Sequence, residues 1–248
     1  MNMNSFEVYP YVRVYTNLMD DNQNLYNILQ NLTSDFNKNV SFVKTDWVTQ
    51  YKTKKFGDYL FAQRNPDNFY EPFVFESSIK NFVDTNYLEE FHLYKRVQEI
   101  KELTIEDYVK IYNVNLPKET FISLGVNIAR YEPNFSIHEI DKSDTMYSPL
   151  ENVSMLYHTD YTGSSDTDRE NQFLITSNIY FNDDYEGGSI IFYVEGDKFV
   201  YKPKAGEIIV FPSGSPLFFP DGKRYLHAVE TNYFKQKFLS RNYLMYTV

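Results

Sequence analysis

The chain has 248 residues, no cysteine, and 24 basic against 34 acidic side chains, a formal net charge of -10. Without cysteine there are no disulfides, no thiolate zinc sites and no thiol catalysis, and a reducing cytosol fits. The acidic balance repels phosphate backbones and anionic lipid, so neither nucleic acid nor a membrane surface is an expected partner.

The length suits one large domain with a substantial core. Aromatic residues reach 18%, mostly Tyr (23) and Phe (21), a composition that favours strands. Met1–Glu7 lacks the basic start and apolar core of a signal peptide, and no apolar run approaches the ~20 residues that span a bilayer. The expectation is a cytoplasmic globular protein. Abundant Asn, Tyr, Lys and Ile point to an AT-rich coding genome, viral or microbial.

In chain order, residues 6–16 alternate as one opening strand. Asp20-Asp21-Asn22 then caps a helix whose apolar positions Leu25, Ile28, Leu29 and Leu32 keep three-four spacing. Residues 40–75 read as short strands and loops around Trp47 and the basic run Lys52–Lys55. Between Ser77 and Leu103 the pattern is helical, with His92 as a half-buried or surface histidine. Thr104-Ile105-Glu106-Asp107 has the form of a capping box and starts a further helix through Tyr112.

From Ser123 onward the character changes. Eight short strand-like runs follow: Leu124–Tyr131, Met155–Asp160, Leu174–Phe181, Ser189–Val194, Phe199–Lys202, Glu207–Phe211, Tyr225–Val229 and Phe238–Tyr246. Eight strands separated by turns suit a double-stranded β-helix, or jelly roll, so the predicted class is mainly β with flanking helices, the helical N-terminal part packed outside. The expected organisation is a single domain: an elaboration over about 1–122 and a barrel core over about 123–248. Two polar loops, 132–150 with His138 and 162–171, flank the second run and are expected to rim a site.

That second run carries His158-Thr159-Asp160. Residues two apart on a strand leave the same face, and an imidazole beside a carboxylate suits a divalent metal such as iron(II). Such a pair also occurs by chance on surface strands. His227, in Arg224–Val229, would complete a two-histidine, one-carboxylate facial triad if its strand lay alongside, leaving coordination positions open.

Taken in order, His158-Thr159-Asp160, Asn178–Asp183, Glu186-Gly187-Gly188, Lys202–Ser213, His227-Ala228-Val229 and the basic closing strand Lys237–Tyr246 resemble the prolyl 4-hydroxylase-like family of iron(II)/2-oxoglutarate-dependent dioxygenases. The resemblance covers residues 124–248. It implies that His158, Asp160 and His227 hold the iron and are the catalytic set. It further implies that 2-oxoglutarate is cosubstrate with O2, that ascorbate stimulates turnover, and that the far carboxylate of 2-oxoglutarate meets a basic residue about ten positions after the distal histidine.

Lys237 stands at that spacing. Arg241 shares its strand face and offers the bidentate chemistry an ammonium lacks; either could instead be a solvent-facing charge. Tyr180 resembles the family tyrosine that supports the same carboxylate, with Asn178 and Asn182 on the same side of the strand, and is equally readable as core. Tyr131 and Tyr157 are weaker candidates. Asp160 argues against a halogenase and for hydroxylation of a peptidyl proline, another protein side chain, an amino acid or a small metabolite. The rival reading is a non-catalytic, cupin-like metal- or ligand-binding barrel.

Overall fold

The computed structural model describes residues 3–34, 43–44, 52–56, 59–63, 74–79, 88–123, 126–131, 153–160, 171–213, 218–230 and 232–247. Strands β1 (Asn4–Tyr9) and β2 (Val12–Thr16) precede helix α1 (Asn22–Ser34). Strands β3 (Val43–Lys44), β4 (Lys52–Phe56), β5 (Tyr59–Gln63) and β6 (Val74–Ile79) lead to the long helix α2 (Leu88–Tyr112). Then come β7 (Thr120–Ile122), β8 (Val126–Tyr131), β9 (Val153–His158), β10 (Asn171–Tyr180), β11 (Glu186–Gly187) and β12 (Ile190–Val194). The series closes with β13 (Asp197–Tyr201), β14 (Ile208–Pro212), β15 (Leu226–Glu230), β16 (Asn232–Tyr233) and β17 (Lys237–Thr247).

The described strands build two main sheets and a small two-stranded one, β11-β16. Of the two main sheets, the larger runs β1-β2-β14-β10-β17-β8-β6-β5-β4, with β3 on β6 and β7 on β17; the smaller runs β13-β12-β15-β9. Each of the eight runs expected after Ser123 is a strand, shifted by a few residues at its ends. The class is mainly β with flanking helices.

Strand alternation sorts the side chains into two cores. One lies between the sheets, where Ile209, Phe211 and Leu239 of the larger meet Ile190, Phe192 and Val229 of the smaller. The other lies on the opposite face of the large sheet, where Ile175, Ile179, Val210 and Phe238 pack against Leu25, Ile28 and Leu29 of α1 and Leu93, Val97 and Ile100 of α2. One face of β10 and β17 therefore serves the helices, and the other lines the space between the sheets.

Three local expectations are corrected. The single opening strand is a hairpin, because Pro10 carries no N–H for a ladder and Tyr11 takes φ 60 at its turn. Its second strand pairs with β14, so this segment extends the sheet. The helical pattern assigned from Ser77 opens as strand: Ser77–Ile79 belong to β6, which pairs with β8, and the described helix is α2, Leu88–Tyr112. The capping box at Thr104 starts no helix: α2 runs unbroken, and the Thr104 hydroxyl donates to the carbonyl of Ile100 at 2.9 Å. The continuous buried series Val97, Ile100, Ile105, Tyr108 overrides the local signal. The loops expected over 132–150, with His138, and 162–171 lie outside the described residues, except Asn171, which opens β10. No helix among the described residues is long and apolar enough to cross a membrane.

Candidate active site

β15 and β9 are antiparallel neighbours, and their register sets His227 opposite His158. His158 enters the site through this backbone position. Two residues on, Asp160 is held by the hydroxyl of Thr176, which donates to its Oδ2 at 2.6 Å. The same oxygen lies 3.7 Å from His227 Nε2, and the two side chains are only 8% and 6% exposed. The other ring nitrogen of His227, Nδ1, faces the carbonyl of Tyr225 at 3.4 Å, which leaves Nε2 on the Asp160 side.

The separation of 3.7 Å exceeds a hydrogen bond but not the span of a shared ion. Two ligand atoms each ~2.1 Å from one cation can stand up to ~4.2 Å apart. An imidazole, a carboxylate and a histidine backbone at the adjoining rung fit a divalent ion of intermediate hardness such as iron(II). Phe211 meets His227 edge-on and Phe192 lies tilted beside it, with ring centroids at 4.8 and 6.2 Å, and they keep this corner apolar.

Thr176 was not singled out in the sequence. Its signal was available, since it shares a β10 face with Asn178 and Tyr180. Replacing it with valine removes the donor while keeping the shape. Losing such an outer partner typically costs about 10–100-fold in metal affinity or activity. A Thr176→Val protein is expected to bind Mn(II), measured by titration calorimetry, that much more weakly, and to lose about 1–3 kcal/mol of stability in urea because the nearly closed Asp160 carboxylate loses a donor.

Lys237 opens β17 opposite Tyr131 and is completely buried. Its ammonium donates to the Gly188 carbonyl at 2.5 Å and lies 5.2, 5.3 and 5.8 Å from the ring centroids of Tyr131, Tyr180 and Tyr185. It forms no ion pair among the described residues. Burial, then the nearby Lys202 charge, push its pKa down to about 7, against a smaller upward pull from Glu230. A buried ammonium beside aromatic rings, with no carboxylate paired to it among the described residues, is a residue that could receive an anion.

Arg241 lies four residues further along the same strand, paired with Asn178, and is 8% exposed. Lys237 and Arg241 thus share the inter-sheet face, and neither is a solvent-facing charge. Tyr180 is buried in the inter-sheet core, and Asn178 beside it is buried with its carbonyl oxygen lacking a hydrogen-bond partner. Tyr131 belongs to the same core, whereas for Tyr157 only its backbone in β9 is described.

Two residues have other duties. Asn182 does not line the pocket: its amide donates to the carbonyl of Gln236 at 2.8 Å and its oxygen accepts from the Phe238 N–H at 2.8 Å, clipping the start of β17. His92 meets Asp21 at 3.2 Å on the helical side, partly exposed as expected.

No family model matches the sequence, and no curated protein does. Solved structures do match. The viral collagen prolyl hydroxylase of Paramecium Bursaria Chlorella virus-1, in its 2OG complex, is 14% identical, with 96% of this chain and 97% of that chain covered and a TM-score of 0.54. The prolyl hydroxylase of Trichoplax adhaerens, in complex with a peptide fragment of hypoxia inducible factor, is 13% identical over 94% of this chain and 83% of that chain, TM-score 0.52. A protein from Shewanella oneidensis named as an oxygenase is 13% identical over 94% and 81%, TM-score 0.54. The fold is that of the prolyl 4-hydroxylase-like 2-oxoglutarate oxygenases. At these identities the likeness speaks for architecture.

Proposed function

We propose that this protein is an iron(II)- and 2-oxoglutarate-dependent dioxygenase of hydroxylase type, with residues 123–248 as its catalytic core and 1–122 as the elaboration around it. The observation that carries the reading is a pairing of two features between the same two sheets. Asp160 Oδ2 and His227 Nε2 stand 3.7 Å apart at one place, and a fully buried ammonium without an ion pair among the described residues stands at another.

His158, Asp160 and His227 would hold the metal. Bound iron(II) would supply the oxidative decarboxylation of the 2-oxo acid to succinate and CO2, coupled to oxygen insertion into a substrate C–H bond. The chain's own residues do the rest. Thr176 orients the Asp160 carboxylate, and the Tyr225 carbonyl sets the His227 ring. Lys237 holds the far carboxylate of 2-oxoglutarate by a charge-assisted bond, with Tyr180 and Asn178 beside it. Lys237 is the anchor ahead of Arg241, because it is the deeper of the two and has three tyrosine rings around it. Phe192 and Phe211 exclude water from the corner where oxygen would react.

The primary substrate in this reading carries a hydroxylatable C–H on a peptidyl proline, another protein side chain, an amino acid or a small metabolite. Two structural relatives are prolyl hydroxylases by name, one of them with a bound peptide. Ascorbate would sustain activity by keeping the iron reduced, and the cytoplasm would supply the 2-oxo acid.

The test is succinate formation from 2-oxoglutarate by purified protein with iron(II), O2 and ascorbate and no primary substrate. Slow, iron-dependent succinate release is expected. Metal and 2-oxoglutarate binding without any succinate, in the presence of a panel of proline-rich peptides as well, would leave a ligand-binding barrel as the better description.

A further inference from the structure

The double glycine and the Lys202-Pro203-Lys204 segment both have sequence prominence, and the site as described uses only one carbonyl of the first. Gly187 and Gly188 take φ 63 and 68, a left-handed pair at the mouth of the turn that follows Tyr185. A Cβ on Gly188 would come within 2.6 Å of Tyr185 Cε2 and 3.3 Å of Asn232 Cβ, so the backbone here is pressed directly against the Tyr185 ring. On the inner side, the Gly188 carbonyl accepts from Lys237.

On the outer side a second ammonium grips the same turn. Lys202 Nζ lies 3.8 Å from the Tyr185 ring centroid and donates to the carbonyls of Tyr185, at 2.9 Å, and Gly187. The segment bearing Lys202 is itself fastened. Glu207 accepts from the Tyr201 hydroxyl and the Lys204 N–H, both at 2.9 Å. Glu230 closes the other flank, accepting from the Ser189 N–H at 3.2 Å.

We propose that Lys202 is a positioning residue for the cosubstrate: from outside the pocket it fastens the Tyr185–Gly188 turn, so that the Gly188 carbonyl holds the Lys237 ammonium where a carboxylate of 2-oxoglutarate meets it. The inference rests on the dioxygenase reading above and adds a residue that touches neither metal nor cosubstrate. Lys202 also sets the charge climate of the pocket. Among the described residues, the groups that face or act on Lys237 are Lys202, Glu230 and the hydroxyl-bearing rings of Tyr131, Tyr180 and Tyr185. Of these, Lys202 alone disfavours the protonated form by its charge and Glu230 favours it.

The experiment measures 2-oxoglutarate binding to the Mn(II)-loaded protein without O2, by calorimetry, from pH 6 to pH 9, for the parent, K202M, K202R and K237M, with thermal unfolding of each. K202M is expected to bind about tenfold more weakly below pH 7, the lower end of what loss of a supporting partner costs. Its affinity should begin to fall at a higher pH than the parent's, because one repelling charge is gone. Mn(II) affinity should not change. K202R keeps both the charge and the stacking on Tyr185, and should retain the parent's pH midpoint and most of its affinity. Parental affinity and midpoint in a folded K202M would overturn the proposal. Should K202M fail to fold, K202Q, which keeps a donor but no charge, serves in its place, with an unmoved midpoint as the contrary result. K237M separates the two levels: if it binds as the parent does, the cosubstrate site itself is misassigned. If only K202M behaves as the parent, the site stands and the positioning role falls.

Discussion

Asp160→Ala is expected to abolish iron-dependent succinate formation and to weaken Mn(II) binding by more than the ~100-fold upper end typical of an outer-shell loss. The carboxylate is the only anion in the proposed ligand set, so its removal leaves two neutral imidazoles to hold a dication. The alanine also deprives the Thr176 hydroxyl of its acceptor at a nearly closed position, which costs about 1–3 kcal/mol of stability on its own. Asp160→Asn separates these effects. It retains an oxygen for Thr176 and nearly the same volume, so its urea midpoint should match the parent while metal binding fails. His227→Ala should also lose turnover, and it removes a ring that packs against Phe211. If Asp160→Asn binds Mn(II) like the parent, measured by calorimetry, the proposed centre is not a metal site.

Lys237→Met separates stability from binding. At neutral pH the apoprotein should be as stable as the parent or more so, by about 1–4 kcal/mol, because a buried cation without a carboxylate partner is exchanged for an apolar chain of similar length. Its affinity for 2-oxoglutarate should fall by roughly 100-fold or more, equivalent to about 2.7 kcal/mol. The pH dependence follows from the depressed pKa. In the folded protein Lys237 loses its proton near 7, whereas an unfolded lysine keeps it to 10.5. Between those values the unfolded chain binds more protons, so this residue's contribution raises stability as pH climbs from about 7 to about 10.5. Its destabilising effect is complete below about 7. Ligand binding has the opposite slope. The carboxylate needs the ammonium, so affinity for 2-oxoglutarate should decline above pH 7, by at most about tenfold per pH unit, with proton uptake on binding. The methionine variant should show neither slope. Guanidinium-free denaturation in urea at several pH values, with calorimetry in two buffers of different ionisation heat, reads both.

The strands were readable because each carries its own alternation. Ile190-Ile191-Phe192 and Ile208–Phe211 sit between turns that glycine and proline announce, and both are strands. Lys237 and Arg241 were predicted to share a face, and they do. What could not be read was anything set by neighbours distant in the chain. Thr104 looked like a helix start because its four-residue context is one; only the buried surface beneath α2 makes the helix continue. Asn182 looked like a pocket amide by strand parity, but β10 ends at Tyr180, and beyond that point parity no longer dictates direction. Thr176 has strand parity with Asn178 and Tyr180 as its one signal and lies in no motif, and Tyr185 has neither. Their relevance comes from what the fold sets beside them: a carboxylate for Thr176, and for Tyr185 a glycine that must stay bare.

The place of β17 in the large sheet has a consequence for how the protein is made. β17 lies between β10 and β8 and, among the described residues, is the one strand joining the β1-β2-β14-β10 half to the β8-β6-β5-β4 half. A nascent chain can assemble each half early, yet the two remain separate until residues 237–247 leave the ribosome and insert between them. Closure therefore waits on pairings of long sequence separation, the kind that folds in milliseconds to seconds rather than microseconds. Until then both half-sheets expose an unpaired edge that invites aggregation, and the buried lysine enters only with β17.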